Sequence, residues 1–147
     1  MELVYIFITL VAGCLMPIQP GINSLLSEAT SGPYMASLIS FAVGTMALFI
    51  WCLVFRFSFP TMQTFAEVPW WYWSGGLLGA VFVTVTVIVA PRLGAVNMLT
   101  YLIAGQMLAS LILDHYGVLG FPHQELNPWR VLGVIFLITG VVLIKKF

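Results

Sequence analysis

A chain of 147 residues that is 61% hydrophobic, 7% charged and without net charge stands apart from ordinary soluble domains, in which about 25% of residues are charged. It is expected in a lipid bilayer, as an all-α membrane protein. Lys145 and Lys146 are the only adjacent basic pair, so neither nucleic acid nor an acidic surface is expected as a partner.

A spanning helix needs about 20 mostly apolar residues. The sequence offers five such runs, at about 3–21, 34–55, 70–90, 95–116 and 129–146, in one transmembrane domain. The first run has no positively charged leader and is expected to stay in the mature protein. Near its end lies Pro17-Ile18-Gln19-Pro20-Gly21-Ile22-Asn23. Each proline removes a helical amide, which leaves the carbonyls of Gly13 and Met16 without their usual partners, and a broken helix is predicted, with a short continuation over 22–26. Irregular backbone at membrane depth is tolerated where other protein covers it or where it lines a wet cavity. Gln19 and Asn23, four residues apart, face one side and are candidates for the wall of a substrate cavity. The alternative is that the prolines end the span and the amides sit among lipid headgroups.

The second run carries Ala36, Ser40 and Gly44 at four-residue steps, a small-residue stripe along which another helix can approach closely. A loop of about a dozen residues leads from Arg56 to Pro69-Trp70-Trp71-Tyr72-Trp73, whose aromatic crowding suits the headgroup belt better than a ligand cage. The third run opens with Gly75, Gly76 and Gly79, a Gly-x-x-x-Gly pair for close packing. Its β-branched second half would read as a buried strand in a soluble protein, but its length decides for a membrane helix. Pro91-Arg92-Leu93-Gly94 predicts a tight turn.

The fourth run has the densest polar content. Gln106, Ser110 and Asp114 drift by only about 40° per step and form one polar stripe from mid-membrane to the helix end. Asp114 and His115 are candidates for proton coupling or gating, because histidine is the side chain whose charge changes near neutrality; the competing reading is a helix cap and turn. Asn127-Pro128-Trp129-Arg130 predicts a cap, a first-turn proline and an interfacial anchor for the fifth run, on which Gly133 and Gly140 share a face. Lys145-Lys146-Phe147 end that run.

Cys14 and Cys52 fall inside apolar runs and are expected to be buried small residues, not a disulfide or metal site. His115 and His123 make a poor metal pair, and no elbow, phosphate loop or paired-cysteine motif is present. No enzyme activity, metal or cofactor is expected.

Five spans put the ends of the chain on opposite sides. One side then carries Arg56 and Arg130, the other Arg92, Lys145 and Lys146, a margin of one charge that hardly specifies orientation. The expected assembly is therefore an antiparallel pair, homodimer or heterodimer with a homologous chain, of ten helices with inverted symmetry.

Pro17-Ile18-Gln19-Pro20-Gly21-Ile22-Asn23, Ser40-Phe41-Ala42-Val43-Gly44-Thr45, Pro91-Arg92-Leu93-Gly94-Ala95, Ala104-Gly105-Gln106 and Asp114-His115-Tyr116-Gly117 together resemble the YdcZ-like family of bacterial inner-membrane proteins, in the drug/metabolite transporter superfamily. The resemblance runs in order over nearly the whole chain. It implies a five-helix half-transporter that pairs antiparallel in the inner membrane, with Gln19, Asn23, Gln106, Asp114 and His115 as site or gating residues. The small multidrug exporters of that superfamily hold a glutamate in the first helix where this chain has Gln19, so their cation exchange is not expected. The expected activity is export of a neutral or weakly polar small molecule by alternating access. The rival readings are a non-transporting accessory subunit and a lipid-handling membrane protein.

Overall fold

The computed structural model describes residues 2–146, and Phe147 lies outside the described residues. Every regular element among them is helical: α1 Glu2–Ala29, α2 Pro33–Val54, α3 Met62–Glu67, a 3₁₀ turn Trp70–Trp73, α4 Ser74–Leu93, α5 Ala95–Tyr116 and α6 Pro128–Lys146. Five helices are long and apolar enough to cross a membrane: α1, α2, the 3₁₀ turn with α4, α5 and α6. Most of their large apolar side chains are exposed, as suits helices solvated by lipid. Cys14, expected buried, is one of the outward-facing residues, and Cys52 is half-buried.

The chain divides after Arg92 into two compact units. In the first, α1 and α2 form a hairpin through a three-residue turn, 30–32, in which Gly32 takes φ 106° before Pro33 opens the next helix. The predicted break in the first span is not observed: α1 runs uninterrupted through Pro17 and Pro20 to Ala29. Spaced three apart, the prolines lie on one side of the helix, so their missing amides leave the bonds on the opposite side to carry the helix through. Pro20 and Asn23 are buried on α1, as Ala36 and Ser37 are on α2, where the Ser37 hydroxyl is satisfied by the Pro33 carbonyl at 2.8 Å. Ala36 is wholly buried, as the small-residue stripe requires. Further along α2, Phe41 packs over Gly79 of α4, where an added Cβ would lie 3.4 Å from the ring, whereas Gly75 meets nothing.

The loop after α2, expected to be without regular structure, contains α3, capped by the Thr61 hydroxyl accepting from the Thr64 amide at 3.3 Å. Phe65 of α3 stacks on Trp73 with ring centres 5.2 Å apart, and Trp71 meets Tyr72 edge-on at 4.3 Å. These rings pair with one another while remaining exposed, the behaviour of an interfacial belt. The third span ends three residues later than predicted, passing through Pro91 to Leu93, and the turn is made by Gly94 alone, at φ 77°.

In the second unit α5 packs on α6. The left-handed Gly117 (φ 59°) caps α5, its amide bonding the Asp114 carbonyl at 3.2 Å, and an added Cβ there would meet the His123 Cβ at 3.1 Å. As predicted, Asn127 caps α6: its side-chain oxygen accepts from the Arg130 amide at 2.9 Å, with Pro128 in the first turn.

Candidate functional site: an uncharged cleft between the first two spans

The continuous α1 helix puts Leu15, Ile18, Gln19, Ile22 and Asn23 along one wall of an open cleft of about 260 Å³, which Ser40 of α2 also lines. A second hollow of about 240 Å³ shares Gln19 and Ser40 and extends along α2 past Phe41, Gly44 and Thr45 to Leu48. Gln19 and Asn23 therefore line one cavity, as their four-residue spacing predicts. The small-residue stripe has two uses. Ala36 packs at the hairpin end, while Ser40 and Gly44 leave room.

What distinguishes this cleft is the state of its polar groups. Many hydroxyls on these helices are satisfied by their own backbone, as Thr9 is by the Tyr5 carbonyl at 2.8 Å and Thr86 by that of Val83 at 2.8 Å. Gln19, Ser40 and Thr45 make no side-chain hydrogen bond to any described residue. Asn23 is more extreme. Only 4% of it is exposed, and its amide nitrogen is buried without an acceptor. An unpaired buried donor costs about 1–3 kcal/mol. Such a cost is met when a solute, or another chain, brings an acceptor to it.

No formal charge lines either hollow. Two carboxamides and two hydroxyls offer both hydrogen-bond donors and acceptors there.

A separate polar cluster gathers where α5 and α6 meet their connecting loop. Arg130 reaches back to Asp114 at 3.4 Å, and its guanidinium also contacts the side chain of Gln124. The Gln124 amide in turn donates to the Asp114 carbonyl at 2.8 Å. His115 turns elsewhere, its Nδ1 accepting from the Leu126 amide at 3.4 Å, with the His123 ring 6.3 Å away. Asp114 and His115, adjacent in sequence, thus take different partners and together fasten the loop to both helices. Of the polar stripe on the fourth span, Ser110 and Asp114 line a common slot with α6, whereas Gln106 is exposed and outside it.

Sequence reasoning missed Ser40 and Thr45 as lining groups and Arg130 as the partner of Asp114. No pattern in the sequence separates a serine bonded to its own helix from one that is not. The Asp114–Arg130 pair spans sixteen residues across a loop.

Five apolar spans, with an uncharged cleft between the first two, define a multi-pass membrane protein of a build that fits a transporter. Within that class the chain belongs to the family described as "Putative inner membrane exporter, YdcZ", whose model it matches over residues 4–143. Among curated proteins it is similar to "Inner membrane protein YdcZ" of Escherichia coli (strain K12), with 28% identity over 137 residues, covering 92% of this chain and 90% of that one. No solved structure matches the chain.

Proposed function

We propose that this chain is a half-transporter that exports a neutral or weakly polar metabolite or drug by alternating access, working as an antiparallel pair of two copies or of one copy with a homologous chain. The carrying observation is the buried, unpartnered amide of Asn23 beside the uncommitted Gln19 and Ser40 in one uncharged cleft. A group held at such cost is explained by a solute that supplies the missing acceptor, with the donors and acceptors beside it fixing the solute's orientation. Gln106 contributes from the fourth span in the assembled pair. The family's description as an exporter supports the direction, and the near-balance of positive charge between the two sides supports antiparallel pairing.

Asp114 and His115 serve as the gate. His115 Nδ1 accepts from the Leu126 amide while Asp114 holds Arg130, so the two neighbours tie the loop to α5 and α6 together. Asp114, Arg130 and His123 are the charged and titratable groups around His115.

The test is flux through the purified chain in proteoliposomes with Gln19→Leu beside the native protein. Loss of saturable flux with the fold intact is expected, and undiminished flux would remove the cleft from the pathway. Cysteine labelling of the loops in cells expressing this chain alone tests the pairing: both orientations are expected, and a single fixed one would exclude the self-paired form.

A further inference from the structure

The slot between α5 and α6 lies outside the proposed export cleft and has a different chemistry. Its volume is about 350 Å³, within the range of small-ligand sites of about 300–1,000 Å³, and it is lined by two matched runs, one on each helix. At its mouth stand Asp114, in the last turn of α5, and Arg130, in the first turn of α6. Four residues deeper along α5, about 6 Å at 1.5 Å per residue, is Ser110, facing Gly133 and Val134. Three residues deeper again are Met107 on α5 and, at the matching depth of about 10 Å on α6, Leu137. The lining therefore grades from ions, through one hydroxyl, to hydrocarbon.

The groups at each level have capacity to spare. Arg130 uses Nη1 and Nη2 on Asp114 and Gln124 and leaves Nε–H without a partner among the described residues, while Asp114 pairs through Oδ2 and leaves Oδ1. The Ser110 hydroxyl, unlike that of Thr100 with its 2.7 Å bond to the Val96 carbonyl, makes no hydrogen bond to a described residue. Both charged side chains are rather more than a quarter exposed, so a head group reaches them.

We propose that this slot is a binding site for a zwitterionic glycerophospholipid with a primary ammonium head. Its phosphate takes the open edge of Arg130 and its ammonium the open oxygen of Asp114. A glycerol ester oxygen accepts from Ser110, and one acyl chain lies along Met107, Leu111, Val134 and Leu137. Opposite charges side by side select a head group that carries both, whereas an anionic lipid satisfies Arg130 and is repelled by Asp114. Gly133 leaves room for the chain, since an added Cβ there would meet nothing within 4 Å.

The experiment is lipid retention by native mass spectrometry on the purified full chain, offered phosphatidylethanolamine, phosphatidylglycerol or diacylglycerol. The native protein is expected to keep one phosphatidylethanolamine about tenfold more tightly than phosphatidylglycerol, the order of one charge-assisted hydrogen bond. Gly133→Leu, whose side chain enters an open space, should abolish that retention without lowering the unfolding temperature. Asp114→Asn should bring the two phospholipids to equal retention. Equal retention of all three lipids by the native protein, preference for phosphatidylglycerol, or undiminished retention by a folded Gly133→Leu would each overturn the proposal. Should Gly133→Leu fail to fold, the Asp114→Asn comparison decides it by the same two readouts.

Discussion

Replacing Asn23 by leucine, which has nearly its shape, separates a functional amide from a structural one. In the folded chain the Asn23 nitrogen is buried with no acceptor and the residue is only 4% exposed, so the native state carries the full cost of an unmade hydrogen bond, about 1–3 kcal/mol. The substitution removes that cost and adds a buried apolar side chain on α1. Asn23→Leu should therefore be more stable than the native chain by about 1–2 kcal/mol, the lower part of that range, because leucine is slightly the bulkier side chain in a packed hairpin. Reversible unfolding in mixed micelles measures this, and flux in proteoliposomes is measured on the same preparation. Gain of stability with loss of transport is the expected pair of results. Destabilisation by more than 1 kcal/mol would mean that the amide has a partner in the folded protein. Stabilisation with transport unchanged would mean that it is not part of the site.

Gln106→Leu should abolish transport with assembly in detergent intact; loss of folding instead would make Gln106 a packing residue. Arg130→Gln and Asp114→Asn should each cost about 1–2 kcal/mol, for a pair that is neither fully buried nor fully exposed, and the double variant should cost less than their sum in a double-mutant cycle. Gly117→Ala forces a side chain into the left-handed region against the His123 backbone, with an expected loss of about 1–2 kcal/mol in the same unfolding assay. His115→Leu removes the acceptor for the Leu126 amide, so the loop between α5 and α6 should be cut faster by protease than in the native protein.

The five spans were legible because length and apolarity alone specify a membrane helix, and the cap of α6 because Asn-Pro is a local device. The course of α1 was not legible. Proline chemistry predicts a break, yet two prolines on one side of a 28-residue helix leave the other side bonded, and the sequence does not say which outcome the neighbouring helix will stabilise. Gln19 and Asn23 were recognisable as one wall because a four-residue step is a property of the helix itself. Ser40 was visible only as a small residue, since its role depends on where α2 lies against α1. The link from Asp114 to Arg130 escaped for a related reason: Gly117, in the left-handed region, folds the loop back onto α5 and brings together residues that no periodicity connects.

In the proposed mechanism the uncharged cleft between α1 and α2 carries a solute across the membrane. Its most direct test is uptake by proteoliposomes containing only this chain, across a panel of neutral, cationic and anionic solutes. A saturable flux confined to uncharged, hydrogen-bonding solutes and absent in Asn23→Leu is expected. Flux of cations alone, or no flux from chain that is folded and inserted in both orientations, would contradict it.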